Sequence, residues 1–236
     1  MSKNNFTIAV LGGMGTYATI NLFKQYAQIF DAQREDERPR IIIDNRCTMP
    51  SRVRAVLYNE KVEELVDQMT ESMNMLVSAG GENTHLILAC NTSHLFLDRI
   101  FQKAPFLKKH TINIIQQCVE KIADDNVEEI YLLASEGTID SGVYHEYLSA
   151  KNIKCIAPDK SEYAKLRTCI EVVKQNKYSA EVEEIFLDLV QRHKSCILGC
   201  TELPVLFDMY GHKTKTKVYD PCVTVLKLLK EVYDRE

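Results

Sequence analysis

The chain has 236 residues, 45% hydrophobic and 26% charged, which is the composition of an ordinary folded protein with room for one large or two small domains. Its net charge of −4 argues against nucleic-acid or anionic-membrane binding, which would need a broad basic face. The start, Met1–Asn5, is polar and leads into the strand-like run Phe6–Leu11, so we expect no signal peptide. No apolar run approaches the ~20 residues of a membrane span, and we therefore expect a cytoplasmic protein without nucleic-acid or membrane partners.

Strand-like and helix-like segments alternate along the first half of the chain. Short β-rich runs occur at Phe6–Leu11, Arg40–Asp44 and Leu86–Ala89, and each predicts a buried strand. Between them, Thr16–Ala32 and Lys61–Ser78 place apolar residues at the three- and four-residue spacing of one helix face. This alternation predicts a parallel sheet built from β-α-β units.

The second half repeats the same pattern. Strand-like runs lie at Ile130–Ala134, Ile153–Ala157 and Cys196–Gly199, and residues 161–192 carry two helical stretches. The last segment, Val218–Glu236, has Asp220-Pro221 as a helix start and matches Thr111–Ile115 and the helix expected after it. The predicted fold class is therefore α/β throughout.

Local similarity between the halves favours an internal duplication. Ile8–Thr16 resembles Ile130–Thr138, which lies 122 residues later, and Leu88-Ala-Cys90 lies 110 residues before Leu198-Gly-Cys200. The matches occur in the same order at similar spacing. We therefore predict two similar parallel-sheet α/β domains, related by pseudo-twofold symmetry, with the active site in the cleft between them.

The predicted domain boundaries follow from this repeat. Residues 1–113 together with 219–236 form the first domain, which holds Cys90, and residues 114–218 form the second, which holds Cys200. No Pro-, Gly- or Ser-rich linker separates the halves, so we expect them to pack tightly.

Two of the eight cysteines stand apart by position. No C-x-x-C pair is present, which argues against zinc ribbons and thioredoxin-like chemistry, and most of the thiols are expected to be small buried hydrophobes. Cys90 and Cys200, however, each directly follow a strand-like run, so each lies at the sheet edge where α/β proteins bind ligands. If the halves face each other, the two thiols approach one ligand from opposite sides, as proton removal from one face and delivery to the other requires.

The residues after both cysteines suggest how a thiol could be activated. Cys90-Asn-Thr-Ser and Cys200-Thr-Glu continue into side chains suited to a helix N-cap, and a helix start beside a thiol would favour the thiolate. A thiol and a thiolate must coexist for turnover, so the pair should titrate as a coupled unit. From the residues alone, two buried structural cysteines remain the alternative.

Longer motifs around these cysteines resemble a known family. Leu86-Ile-Leu-Ala-Cys-Asn-Thr-Ser-His94 and Ile197-Leu-Gly-Cys-Thr-Glu-Leu-Pro204 are similar to the paired signatures of the aspartate/glutamate racemase superfamily. Val10–Gly15 resembles its N-terminal turn, and Leu133–Ile139, with Ser141-Gly-Val-Tyr144, resembles its mid-chain motif. The motifs run in family order from about Ile8 to Asp220. Glu202 stands where glutamate racemases of cell-wall synthesis typically carry His, so the chain resembles the aspartate racemase branch.

The resemblance implies a cofactor-independent, two-base racemase of aspartate or glutamate, usually homodimeric, with Cys90 and Cys200 as its catalytic thiols. It implies that Asn91, Thr92 and Thr201 hold the α-carboxylate, that Arg52 binds the side-chain carboxylate, and that Lys165 is a second cation. Three further substrate-binding residues follow from the same motifs: Met14, Thr138 and Glu202. Departures from the family pattern affect the expected side-chain preference, and they are Thr16, Arg46, Cys47 and Ser51.

Other readings of single residues stay open. His94 could join Cys90, Cys196 and Cys200 in a zinc site, although it could instead orient the Cys90 loop or be a hydrogen-bonded core residue. Glu202 could hydrogen-bond near Cys200 or cap a helix. The glycines of Gly12–Gly15 lack a nucleotide-binding pattern and predict a tight strand-to-helix turn near a carboxylate.

Two rival functions also remain. A sibling reaction on the same scaffold would be hydantoin racemisation, decarboxylation of a malonate or cis–trans isomerisation of a dicarboxylate. A non-enzymatic amino-acid-binding protein with vestigial cysteines would bind its ligand without exchange of the Cα proton.

Overall fold

The first half of the chain forms a parallel four-stranded sheet of order β2-β1-β3-β4 in the computed structural model, which describes residues 5–236. In this sheet Ile8 lies beside Ile41 on one side and His85 on the other. The elements in chain order are β1 (Thr7–Gly12), α1 (Thr16–Ile29), β2 (Arg40–Asn45), α2 (Arg52–Tyr58), α3 (Val62–Gly80), β3 (Thr84–Leu88), α4 (Leu97–Lys103), β4 (Thr111–Ile112) and α5 (Ile114–Asp124).

The second half forms another parallel sheet with the equivalent order β6-β5-β7-β8. Its elements are β5 (Glu129–Leu133), α6 (Glu136–Asp140), α7 (Val143–Ser149), β6 (Lys154–Ile156), α8 (Tyr163–Gln175), α9 (Ala180–Val190), β7 (Ser195–Leu198), α10 (Leu203–Tyr210), β8 (Lys217–Tyr219) and α11 (Pro221–Arg235). Two parallel sheets with the same strand order confirm the predicted α/β fold class and the similarity of the halves.

Alternating side chains of the central strands divide the interior into three clusters. In β1, Ile8 and Val10 face the space between the sheets, whereas Ala9 and Leu11 face the outer side of their own sheet, as the two-residue period of a strand requires. β5 alternates in the same way. The outer face of the first sheet is covered by α3 and α4, and that of the second by α8, α9 and α10.

Helices α1, α5, α7 and α11 fill the space between the sheets. The C-terminal helix α11 packs against α5 and α1, and α5 also packs against α7. Because these helices contribute to one continuous apolar cluster with strands of both sheets, the halves share a core. The domain boundaries at residues 113/114 and 218/219 therefore stay a prediction.

The predicted strands and long helices are present with ends shifted by a few residues. The first helix stops earlier than expected, because Phe30 leaves the helical conformation. Helix α2 was not predicted, since its seven residues make fewer than two turns and show little periodicity. Among residues 5–236, no helix has the length and apolar composition that crossing a membrane requires.

Equivalent polar side chains start the two helices that follow the edge strands β4 and β8. The Asn113 side chain accepts hydrogen bonds from the N–H groups of Ile115 (3.0 Å) and Gln116 (3.1 Å). Asp220 accepts from Cys222 (2.8 Å) and Val223 (3.3 Å). Both are N-caps, so the predicted match between Thr111–Ile115 and the C-terminal segment is confirmed.

We expect Asn113→Ala to lower the free energy of unfolding by about 1 kcal/mol, because two helix N–H groups lose their acceptor. Urea denaturation measures the change. Asn113→Asp is the control, because it keeps the acceptor oxygen. An equal loss in both variants would instead assign the effect to the bond from Asn113 Nδ2 to the Tyr147 hydroxyl (3.1 Å).

Candidate active site

The two predicted thiols follow equivalent strand ends. The last backbone bond of the first sheet at this edge, from Ala89 N–H to Leu11 C=O (2.9 Å), comes directly before Cys90. The equivalent bond of the second sheet, from Gly199 N–H to Leu133 C=O (2.7 Å), comes directly before Cys200. The sheets therefore hold both turns rigidly at their carboxyl edges, as expected for an α/β ligand site.

Cys90 and Cys200 are both half-buried and line one cleft with a volume of about 380 Å³. A cleft of this size is in the range of small-molecule sites. Most of the predicted site residues line it as well, namely Met14, Arg52, Asn91, Thr92, Thr201 and Glu202. Thr138 and Lys165 do not.

A carboxyl group lies directly beside one of the thiols. Glu202 is only 2% exposed, and its Oε2 lies 3.0 Å from Cys200 Sγ. Its other oxygen, Oε1, is buried without a hydrogen-bond partner among residues 5–236. The side chain makes no cap hydrogen bond to α10, so of the two readings of Glu202 the contact with Cys200 is the one observed.

The electrostatics of this pair favour protonation. Burial raises the pKa of the Cys200 thiol well above its usual range, and the adjacent Glu202 carboxylate raises it further. Burial also raises the pKa of Glu202, although the thiol and the Lys174 ammonium oppose that shift. The expectation that a helix start would favour the thiolate is therefore wrong for Cys200, because burial and a neighbouring carboxyl group dominate.

The N-cap expectation is also wrong for the first thiol. A short 3₁₀ turn, Thr92–Phe96, follows Cys90, and the Asn91 side chain makes no cap hydrogen bond to it. Asn91 Oδ1 instead accepts a hydrogen bond from the Tyr144 hydroxyl at 2.6 Å.

The glycine-rich turn after β1 leaves room for the Glu202 carboxyl group. A Cβ on Gly15 would lie 2.2 Å from Glu202 Oε1, so a larger residue there would collide with the carboxyl group. Gly13 has a φ of 77°, and a Cβ there would lie 2.4 Å from the Arg46 backbone. The predicted strand-to-helix turn near a carboxylate is present, and the carboxylate it contacts belongs to this chain.

Hydroxyl groups join the two halves at the floor of the cleft. Thr92 Oγ1 lies 2.8 Å from Thr138 Oγ1 and 3.2 Å from Ser135 Oγ. The Thr201 hydroxyl donates to the carbonyl of Ala89 (3.2 Å). Thr138 is thus placed behind Thr92, where it supports that residue rather than facing the cleft.

Arg52 is tied to neighbouring backbone carbonyls. Its guanidinium donates to Pro50 C=O (2.9 Å) and Met14 C=O (3.1 Å) while the side chain lines the cleft. These bonds hold the turn after β1 beside α2.

Lys165 lies outside the cleft. Its ammonium contacts Asp188 (3.6 Å) and Glu162 (4.0 Å). The cleft-facing stripe of α8 runs through Leu166, Ile170 and Lys174, and Lys165 is one residue, about 100° of helix rotation, away from it. Lys165, predicted as the second cation of the site, therefore does not line the cleft.

Lys174 is a cleft-lining cation that was not predicted from the sequence; Arg54 and Arg167 also line the cleft, but they pair with Glu60 and Glu136. Its ammonium donates to Glu171 at 2.8 Å. Burial acts to lower the pKa of Lys174, but this bond and the nearby Glu202 and Cys200 raise the value above its ordinary range. Lys174 lies four residues after Ile170, on the same face of α8, and this spacing could have identified it from the sequence.

His94 fixes the Cys90 turn and is a hydrogen-bonded core residue at once. Its Nδ1 lies 3.0 Å from Cys90 C=O, and its Nε2 accepts from Ile114 N–H at 3.3 Å. Nδ1 therefore carries the proton of the neutral ring. Burial lowers the pKa of His94 to about 4. Across residues 5–236, no group of three or more His, Cys, Asp or Glu side chains is arranged to hold a metal ion.

Arg46 and Cys47, the departures nearest the expected specificity loop, lie away from the cleft. Arg46 Nη2 pairs with Glu71 of α3 at 2.8 Å, and Nη1 donates to the Ser72 hydroxyl (3.2 Å). Cys47 is exposed, with its Sγ 3.5 Å from the carbonyl of Asn45.

Comparison with known proteins gives a consistent result. The sequence model of the Asp/Glu/Hydantoin racemase family matches residues 11–229. Among solved structures, the aspartate racemase of Picrophilus torridus superposes with a TM-score of 0.80 at 22% identity, covering 96% of this chain and 94% of its own. An aspartate racemase homologue from Pyrococcus horikoshii OT3 gives 0.72 at 22% identity, covering 97% and 99%.

A glutamate racemase has a similar fold. The enzyme from Francisella tularensis, solved in complex with D-glutamate, superposes with a TM-score of 0.68 at 18% identity, covering 99% of this chain and 82% of its own. At these identities the superpositions establish a shared two-lobed α/β fold.

We expect Glu202→Gln to lower the pKa of Cys200, because it removes the neighbouring negative charge while the site stays buried. Alkylation of Cys200 by iodoacetamide, followed by mass spectrometry across pH 6 to 10, measures the shift. Glu136→Gln is the control, since Glu136 also lines the cleft but pairs with Arg167. An unchanged alkylation profile in Glu202→Gln would contradict the coupling.

Stability should depend on the protonation of His94. Its pKa is about 4 in the fold and about 6.5 when unfolded, so between these values the unfolded chain binds more protons. The free energy of unfolding should therefore fall as the pH is lowered from 6.5 towards 4, by up to about 3 kcal/mol from this residue. Urea unfolding at several pH values should show a shallower decline in His94→Asn. Parallel curves would contradict the assignment.

Proposed function

Because the chain belongs to the Asp/Glu/hydantoin racemase family, we propose that it racemises aspartate or glutamate without a cofactor, using Cys90 and Cys200 as its two bases. The observation that carries this proposal is the position of both thiols in one cleft, at the ends of the equivalent strands β3 and β7. A homodimer, which the sequence resemblance implies, is part of the same proposal, as is the cytoplasmic location expected from the sequence.

The reaction needs one thiolate and one thiol on opposite faces of the substrate Cα. The thiolate takes the Cα proton, the C–H bond breaks, and its electron pair moves towards the carboxylate. The thiol then delivers its proton to the other face and becomes the thiolate. One turnover thus inverts the carbon and exchanges the protonation states of Cys90 and Cys200.

Glu202 influences the protonation of the second thiol. With its raised pKa, Cys200 holds a proton at neutral pH and is suited to be the donor when Cys90 is the base. In the reverse direction Cys200 must act as the base. In that enzyme form the transferable proton is on Cys90, and a protonated Glu202, whose pKa burial raises, can donate a hydrogen bond from Oε2 to the Cys200 thiolate 3.0 Å away.

Charge that develops on the α-carboxylate needs hydrogen-bond donors near both thiols. We place Asn91, Thr92 and Thr201 in this role, with their backbone N–H groups. The Thr201 hydroxyl already donates to Ala89 C=O, which makes its N–H the available donor. Asn91 Nδ2 is buried without a partner among the described residues.

For the side-chain carboxylate of the substrate we propose Arg52 and Lys174. Both line the cleft, and Lys174 takes the place that the sequence reading gave to Lys165. Arg52 is preorganised by its bonds to uncharged backbone carbonyls.

Proton NMR in deuterated water tests the proposal. Wild type should convert L-aspartate or L-glutamate to the D-isomer with loss of the Cα–H signal. Early product should carry deuterium while the remaining substrate keeps its proton, because donor and acceptor are different thiols. Cys90→Ala and Cys200→Ala should each lower the racemisation rate by roughly 10²- to 10⁴-fold.

Cys47→Ala is the matched control, since this exposed thiol lies outside the cleft and its loss should leave the rate unchanged. If wild type exchanges neither amino acid, the proposal is wrong for both substrates. Saturable binding without exchange would then favour an amino-acid-binding protein.

A further inference from the structure

The Asn91 carboxamide is held at one end only. Its Oδ1 accepts the Tyr144 hydroxyl proton at 2.6 Å, whereas its Nδ2 is buried without a hydrogen-bond partner in the described chain. A carboxamide has an acceptor at one end and donors at the other, so fixing the oxygen also fixes the direction of the NH₂ group. An unpaired buried donor costs free energy, which makes this NH₂ group a feature to be explained.

Tyr144 is well suited to hold the oxygen. Its side chain is completely buried in α7, and burial raises the pKa of its hydroxyl well above the usual range, so the group keeps its proton and can donate it. Without the Asn91 oxygen, that hydroxyl would itself be a buried unpaired donor. The pair therefore stabilises one orientation of the carboxamide against the flipped one.

The same tyrosine also contacts the second catalytic turn. A Cβ on Gly199, directly before Cys200, would lie 3.3 Å from Tyr144 Cε2, so the ring packs against the Gly199 backbone. Asn91 directly follows Cys90. One side chain thus contacts both cysteine-bearing turns, through its hydroxyl on one side and its ring on the other.

We propose, on the basis of the racemase function above, that Tyr144 is a positioning residue: its hydroxyl holds the Asn91 carboxamide so that the NH₂ group donates to the substrate carboxylate. The donor is then in place before the substrate arrives, and no reorientation is needed as charge develops there. Tyr144 itself touches no reacting atom.

A double-mutant cycle separates this role from simple packing. Tyr144→Phe keeps the ring against Gly199 and removes only the hydroxyl. It should lower kcat/KM about tenfold in the wild-type background, less than the roughly 100-fold loss expected for Asn91→Ala. In the Asn91→Ala background, Tyr144→Phe should cause no further loss, because its target is gone.

Tyr26→Phe is the matched control. Tyr26 is also buried, and its hydroxyl donates to a backbone carbonyl, that of Pro39 at 2.6 Å, away from the cleft. It should lower thermal stability without changing kcat/KM. Equal losses from Tyr144→Phe in both backgrounds would overturn the proposal, since the hydroxyl would then act independently of Asn91.

The Asn91 side-chain amide signals give a readout that needs no activity. In ¹⁵N-labelled protein these signals are identified by their loss in Asn91→Ala, and they should shift in Tyr144→Phe but not in Tyr26→Phe. Unchanged signals in Tyr144→Phe would overturn the proposed hydrogen bond. If wild type fails to racemise while the signals do shift, the proposed function fails and the positioning role fails with it, but the hydrogen bond is established.

Discussion

Parallel strand direction is the constraint on which the rest of the structure depends. In each sheet every strand points the same way, so the segments after β1, β3, β5 and β7 all emerge at one edge of their sheet. The shared helices between the sheets then fix how the two edges meet. Cys90 and Cys200 lie 110 residues apart in sequence, and they line the same cleft because each is the second residue beyond a central strand.

The repeat makes the framework similar in both halves, but the chemistry beside each thiol differs. Asn91 and Thr92 follow Cys90, whereas Thr201 and Glu202 follow Cys200. The carboxyl group of Glu202 occupies space that a Cβ on Gly15, in the other half, would fill. Residues of both halves therefore form the site together. The hydrogen bonds of Thr92 with Thr138 and of Thr201 with Ala89 also connect the two halves.

The fold and the position of Cys90 and Cys200 in one cleft could be predicted from the sequence for physical reasons. Apolar periodicity and strand-end position are local properties, so β1, β3, α3 and the Asp220 cap could be read directly from the chain. Lys165 and Lys174 could not be separated in this way, because the choice depends on which face of α8 the second half turns towards the cleft. The raised pKa of Cys200 was missed for a similar reason, since burial is a tertiary property and outweighs the local helix start.

Under the proposed function, thermodynamics limits how far the unequal surroundings of Cys90 and Cys200 can make the kinetics of the two enantiomers differ. L- and D-amino acids have equal free energies in solution, so the equilibrium constant of racemisation is unity for every variant. The ratio of kcat/KM for the two enantiomers must therefore also be unity, however strongly Glu202 favours a proton on Cys200. This preference can change kcat and KM of each enantiomer, but any change in kcat/KM must be by the same factor for both. The asymmetry of the site thus affects whether the enzyme form with the proton on Cys90 or the form with the proton on Cys200 accumulates during turnover. The equilibrium ratio of the enantiomers depends on the substrate alone.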